Sequence, residues 1–299
     1  MGLDPADREV AVEVVTPAQA EAPAAEKGSN FFFGFLFLSA ERRKALGDVY
    51  AYCRLIDDIV DDGKLSKEEA AKQLDWWGQE IGRLFGGQPT HPVSQRLKRH
   101  IERFALTREP FDELLRGCRM DLEGVRYADM AELESYMRGV AASVGALSVR
   151  IFGCAYTAQP ALDDFARDFG YAFQLTNIIR DVGVDLELGR VYLPDSEMAA
   201  AGYSRERLLV RAQDEAFDRL MRGLYDRAKA YYRRARSAVD FRDRPSLLSA
   251  EVMAHIYEGL LDEIAAGGFR VLFDKQRLSL WRKMKLTAKA WLYCRGFHV

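Results

Sequence analysis

The chain has 299 residues, 43 Lys and Arg against 45 Asp and Glu, a formal net charge of −2, and 48% hydrophobic and 29% charged residues. This is an ordinary balance for a globular protein long enough to bury a large core, and it gives no whole-molecule reason to expect nucleic acid as a partner. The cysteines, Cys53, Cys118, Cys154 and Cys294, lie far apart with no C-x-x-C spacing, which speaks against a zinc ribbon or a small disulfide framework and fits a reducing, cytoplasmic setting.

Met1 to Lys27 is rich in Ala, Glu and Pro and acidic early, without the basic and apolar regions of a signal peptide. Residues 1–27 are therefore expected to be a disordered extension, and 28–299 the folded part. No apolar run approaches the roughly 20 residues that span a bilayer; the longest, Phe31 to Ser39, is about half of that. From Leu38 the apolar residues Leu46, Val49, Tyr50, Cys53, Ile56 and Val60 recur at helical spacing, with Ser39 and Glu41 as the start signal and Gly63 as the stop. Further helices are predicted over Lys67 to Phe85, Pro92 to Phe104 and Pro110 to Leu122, with a turn at Gly86-Gly87-Gln88-Pro89.

Ala131 to Phe152 predicts a long amphipathic helix whose middle is small: Gly139, Ala141, Ala142, Ser143 and Gly145. Small residues there would let another helix approach closely or leave a channel for a ligand; taken alone, close packing is the better explanation. Helices over Ala161 to Val184, Tyr203 to Val239, Ser246 to Ile264 and Arg270 to Tyr293 complete the pattern, with a break from Leu186 to Asp195. No alternating run persuades as a strand, so the chain reads as all-α, one domain of roughly eight or more helices.

Two acidic columns stand out. On one helix Asn177, Asp181 and Asp185 fall four apart and share a face, flanked by Phe165, Phe169, Phe173, Leu175, Ile178 and Ile179. On another, Asp57 and Asp61 are four apart, as are Asp58 and Asp62, at a helix C-terminus whose partial negative charge disfavours them. A single D-x-x-x-D is most often a solvated face. Two carboxylates about 4 Å apart repel by roughly 4 kcal/mol at an effective dielectric near 20, so two such columns call for cations. Oxygen ligands with neither His nor Cys in the columns point to Mg2+. Since neither column makes a full cage, the remaining ligands would be water and a diphosphate, with Arg54, Arg180 and Arg190 beside them to neutralise it. In a helical bundle this predicts metal-assisted departure of diphosphate from an allylic chain held in a dry, aromatic tunnel.

Tyr50-Ala51-Tyr52-Cys53-Arg54-Leu55-Ile56-Asp57-Asp58-Ile59-Val60-Asp61, then Tyr136 with Gly139-Val140-Ala141-Ala142-Ser143-Val144-Gly145, then Gln174 to Asp185 and Arg190-Val191-Tyr192-Leu193-Pro194 resemble the squalene/phytoene synthases. These are head-to-head prenyl synthases with the all-α isoprenoid synthase bundle. The resemblance runs from about Gly28 to the C-terminus and implies condensation of two prenyl diphosphates to a cyclopropyl product. It implies metal ligands Asp57, Asp61, Asn177, Asp181 and Asp185 for roughly two or three Mg2+ ions. Arg54, Arg180, Arg190 and Tyr192 would contact diphosphate, with Asp58 beside them. Tyr136 would steady the cation and take part in proton removal, with Gln174 nearby. Phe31, Phe35, Tyr50, Val140, Ala141, Val144 and Gly145 would line the tunnels, although the aromatics could simply pack, and Tyr257 and Arg270 match late positions near substrate.

Within the family, Met120 to Arg126 and Val140 to Gly145 look most like bacterial presqualene diphosphate synthases of the hopanoid pathway, while Met137 and Ala142 depart from the phytoene synthase pattern. Farnesyl diphosphate is then the expected substrate. The alternatives are a full squalene synthase, which would need NADPH, and a phytoene synthase acting on geranylgeranyl diphosphate. A non-catalytic scaffold that keeps the fold is the alternative from another class, although such a relative would be expected to lose the columns. The basic run Lys275 to Leu286 reads first as a solvated bundle helix and second as a patch resting on anionic lipid at the inner face of a membrane.

Overall fold

The computed structural model describes residues 34–61 and 63–297; Phe31, Asp62 and the predicted extension lie outside them. The described residues form helices and no strand. In order these are α1 (Ala40–Asp61), α2 (Lys67–Phe85), α3 (Pro92–Arg103), α4 (Glu109–Glu123), α5 (Met130–Met137), a π turn (Arg138–Ala142), α6 (Ser143–Phe152), α7 (Gln159–Glu187), α8 (Asp195–Ala200), α9 (Arg205–Leu209), α10 (Glu215–Ala238), α11 (Leu248–Ala266) and α12 (Leu280–Cys294). None of them is long and apolar enough to cross a membrane.

Local chemistry sets the boundaries. Ser66 and Glu69 form a reciprocal capping box at α2, with the Glu69 N–H donating to Ser66 Oγ at 3.2 Å and the Ser66 N–H to Glu69 Oε2 at 2.8 Å. Pro92 and Pro110 sit in first turns, where no amide donor is needed. Gly124 ends α4 at φ 72°, a conformation glycine adopts without a Cβ penalty. The buried apolar residues make one continuous cluster from Leu38 to Ala290. Helix α7 runs through it and packs against α10, α6, the π turn and α11.

The small middle of the predicted Ala131 to Phe152 helix does both things the sequence allowed. It lets neighbours in: a Cβ on Gly139 would lie 2.7 Å from Gly117 Cα of α4, and one on Gly145 2.7 Å from the Ala166 carbonyl oxygen of α7. It also opens a cavity, described below. The helix is continuous in direction but passes through the π turn at Arg138–Ala142, where Ser143 Oγ donates to the Gly139 carbonyl. Because backbone meets backbone at Gly139, Gly139→Ala is expected to cost about 1–3 kcal/mol through overpacking; a thermal melt unchanged from wild type would contradict that contact.

Two predicted spans are corrected. Tyr203 to Val239 is not one helix: Arg211 takes φ 54°, and Asp214 starts α10 by accepting from the Ala216 N–H at 2.9 Å and the Phe217 N–H at 3.2 Å. The last helix begins at Leu280 rather than Arg270. Phe269 takes φ 49°, the Val271 carbonyl accepts from the Gly183 N–H at 3.1 Å, and Ser279 caps α12. Within residues 270–279, Val271, Leu272 and Lys275 thus contact α7 and the segment is not helical.

Candidate active site

A cavity of about 330 Å3 lies between α1, the π turn with α6, α7 and α11. Helix α1 contributes Leu46, Val49, Tyr50, Cys53, Arg54 and Asp57, and α7 contributes Phe165, Ala166, Phe169, Gly170, Phe173, Gln174 and Asn177. Both stripes change from apolar to polar toward their helix C-termini. Each is about 17 Å long at 1.5 Å per residue. Val140, Ala141, Val144, Gly145, Ser148 and Phe152 form a third wall, and Ser249, Ala250, Met253 and Tyr257 a fourth, with Phe35 also in the lining. Aromatic edges crowd it: Phe173 and Tyr257 centroids are 5.1 Å apart, and Phe35 and Tyr50 are 6.4 Å apart at 87°. The result is a greasy tube with a polar mouth.

The acidic columns meet around that mouth. Asp57 has the Cys118 thiol at 3.5 Å, and Asp58 is paired with Arg54 at 2.9 Å. Arg190 ties the columns together: its Nη1 donates to Asp61 Oδ1 at 2.7 Å, while it shares a small cleft with Asp185 and Tyr192. Arg180 grips Asp181 with both Nε and Nη2, and Lys275 Nζ stands 3.3 Å from Asp181 Oδ1. Among the described residues no three His, Cys, Asp or Glu side chains close on a metal position. Protein cations instead hold Asp61 and Asp181.

The donors nonetheless fit a divalent cation. Asn177 Oδ1 is buried with no hydrogen-bond partner, a loss that a ligand to this oxygen would relieve. Burial, then the charge of Asp61, pushes the Asp57 carboxyl up from 3.8 to about 7; burial, then Asp181, does the same to Asp185. Asp181 shifts the other way, held below its usual range by Arg180 and Lys275 against the cost of its burial. A carboxyl raised in the fold costs nothing below the unfolded value and its full penalty above the folded one. The advantage of Asp57→Asn over wild type in a metal-free melt should therefore grow from about pH 4 to about pH 7 and level off, and Mg2+ should raise the wild-type melting temperature more above pH 7 than near pH 5. A difference flat across that range would refute the electrostatic account.

A residue not singled out from sequence, Asp121 on α4, lies between the columns. It accepts from the Tyr136 hydroxyl at 2.8 Å and the Tyr192 hydroxyl at 2.7 Å, and those two rings stack at 5.2 Å and 24°. Burial pushes up both its own carboxyl and the Tyr136 hydroxyl, and Asp121 charge acts on both Asp57 and Asp185. Its sequence signal was weak because no acid stands four residues away. Of the predicted residues, Phe35, Tyr50, Arg54, Asp57, Val140, Ala141, Val144, Gly145, Gln174, Asn177 and Tyr257 line the cavity. Tyr136, Tyr192, Asp61 and Arg190 gather beside it around Asp121 and Asp57. Arg270 is exposed and outside the lining, and Phe31 lies outside the described residues.

The family profile for squalene/phytoene synthase matches residues 24–284. The phytoene synthase of Arthrospira platensis is 32% identical over 284 residues, covering 91% of each chain. The presqualene diphosphate synthase of Zymomonas mobilis is 35% identical over 267 residues, covering 87% of this chain and 89% of its own. Among solved structures, a dehydrosqualene synthase in complex with ligand superposes with a TM-score of 0.82 at 25% identity, over 94% of this chain and 96% of its own. With two facing acidic columns at the mouth of an apolar tube, and these matches along nearly its whole length, the chain belongs to the squalene/phytoene synthase family.

Proposed function

We infer that the chain condenses two farnesyl diphosphates head to head to presqualene diphosphate, releasing one diphosphate. The observation that carries this is the cavity itself, apolar over most of its depth and ending at Arg54, Asp57, Gln174 and Asn177. Support for the fifteen-carbon substrate comes from the segment Met120 to Arg126, from Val140 to Gly145, and from the 35% identity to a presqualene diphosphate synthase.

In this reaction the C1–O bond of one substrate breaks and its electrons leave with diphosphate. C1 then joins the C2–C3 double bond of the second substrate, and loss of a proton closes the three-membered ring while the second diphosphate is kept. Mg2+, held by Asp57, Asp61, Asn177, Asp181 and Asp185, would supply Lewis-acid neutralisation of the diphosphates. Arg54, Arg180 and Arg190 bind the phosphate oxygens as planar, permanently charged donors. Phe169, Phe173 and Tyr257 exclude water and offer ring faces to the cation. Tyr136 receives the departing proton at its hydroxyl oxygen while passing its own to Asp121, whose raised carboxyl makes it a better base.

The 32% identity to a phytoene synthase over 91% of each chain supports a second assignment, the same condensation on geranylgeranyl diphosphate. Incubation of the purified chain with Mg2+ and either farnesyl or geranylgeranyl diphosphate, with and without NADPH, separates the cases. Presqualene diphosphate from farnesyl diphosphate alone is the expected product. Squalene formed only with NADPH would make the chain a full squalene synthase, turnover of the twenty-carbon donor alone a phytoene synthase, and no diphosphate release a non-catalytic member.

A further inference from the structure

Helix α12 turns an apolar face to solvent. Leu286, Ala290 and Cys294 are its buried side, packed on α11, with Leu286 against Gly259. Beside that stripe, Leu280, Trp281, Met284 and Trp291 are 61%, 64%, 49% and 37% exposed. Plotted at 100° per residue, Trp281, Met284 and Trp291 fall within one third of the helix circumference, and Lys285, Lys289 and Arg282 flank them on one edge. Phe297, just beyond the helix, is also 58% exposed.

Charge on this segment departs from the rest of the chain. From Arg277 to Val299 there are six cations, Arg277, Arg282, Lys283, Lys285, Lys289 and Arg295, and no Asp or Glu, in a chain whose formal net charge is −2. Two of these cations lie over the exposed indoles, Lys285 Nζ at 5.3 Å from the Trp281 ring and Arg295 at 4.4 Å from Trp291. A solvated bundle helix would be expected to show polar residues where these tryptophans stand. Indoles and long-chain cations together at the centre and edge of one exposed face are instead the composition of a helix lying in the headgroup layer. Arg282 pairs with Glu263 at 2.9 Å, and the exposed Lys285, Lys289 and Arg295 on this segment suit an anionic surface.

We propose that α12 docks flat on an anionic lipid bilayer, with Trp281, Met284 and Trp291 entering the headgroup and acyl boundary and Lys285, Lys289 and Arg295 pairing with lipid phosphates. The surface is adjacent to the cavity: α11, on which α12 packs, supplies Ser249, Ala250, Met253 and Tyr257 to the cavity wall. Near the same end of α11, where Tyr293 meets His255 at 5.7 Å, Gly34 lies against Met253 and is followed by Leu36 and Phe37, exposed by 50% and 42%. Helices α11 and α12 would then stand between the cavity and the lipid.

The test uses the full chain without substrate, so that its outcome is independent of which reaction the cavity performs. Co-sedimentation with phosphatidylcholine vesicles, with and without phosphatidylglycerol, at low and high salt is compared for wild type, Trp281→Ala/Trp291→Ala and Lys285→Glu/Lys289→Glu. Circular dichroism melts show that the surface variants fold. Wild type is expected to bind the phosphatidylglycerol vesicles, to shift its tryptophan emission to the blue on binding, and to release at high salt. Each double variant should lose roughly tenfold or more in partitioning. No binding to anionic vesicles, or equal partitioning by folded variants and wild type, overturns the proposal. So does a wild-type dimer in sedimentation velocity that the tryptophan variant converts to monomer, because the face would then belong to a second copy.

Discussion

Asp57→Asn is expected to abolish diphosphate release, a loss on the order of 10³-fold or more in kcat/KM, while making the metal-free chain more resistant to heat at neutral pH. The two effects share a cause. Burial and the neighbouring Asp61 raise the Asp57 carboxyl to about 7, so the fold is penalised for its charge, and an uncharged isostere removes the penalty together with the ligand. Asp57→Ala should lose activity equally. Asp181→Ala should be as inactive but melt lower, because Asp181 is the partner of the half-buried Arg180 guanidinium, which would be left without its carboxylate. Diphosphate release with thermal melts in chelator decides both points. Turnover within a few-fold of wild type in either variant would remove that residue from the metal site, and a lower melt for Asp57→Asn would contradict the assigned electrostatics.

The second large effect is expected at the tyrosine and its acceptor. Tyr136→Phe keeps the ring that stacks on Tyr192 but removes the hydroxyl, and should reduce formation of the cyclopropyl product by about 10²–10⁴. Cleavage of the first C1–O bond should suffer less, so product analysis should show alcohol and hydrocarbon side products in place of ring closure. Asp121→Asn retains one carbonyl oxygen for the two phenols that now donate to Asp121, and should give the same shift in product ratio with a smaller loss. If both variants slow diphosphate release and product formation in parallel, leaving the ratio unchanged, the pair is structural and the proton-removal role fails.

Much of this was legible from sequence because it is local. The two columns repeat at four residues, the apolar stripes of α1 and α7 repeat at three and four, and Ser66 with Glu69 or Pro92 marks a helix start within one turn. What was not legible depends on distant partners. Asp121 has no acid four residues away on its own helix and acquires its place from Tyr136 and Tyr192, 15 and 71 residues away. Arg190 reaches Asp61 across 129 residues. The basic run at Arg270 has helical composition, yet Val271 is drawn into a hydrogen bond with the Gly183 N–H of α7 and Lys275 to Asp181, tertiary contacts that override local propensity. The break before α10 was signalled by Asp214, whose capping role is visible only once the positive φ of Arg211 is known.

The π turn at Arg138–Ala142 means that this helix carries one residue more than an α-helical path between the same two points needs. One residue is about 100° of rotation. Tyr136 and the wall residues Val140 to Gly145 are therefore out of phase by that angle, which is how the hydroxyl turns to Asp121 while Val140 and Ala141 turn to the cavity. A chain shortened by one residue between Arg138 and Ala142 could keep an unbroken helix and an intact apolar wall, and would still aim its tyrosine at the wrong bearing. The excess residue sets the helix's angular phase, so the insertion itself, rather than any side chain in it, fixes where the Tyr136 hydroxyl stands.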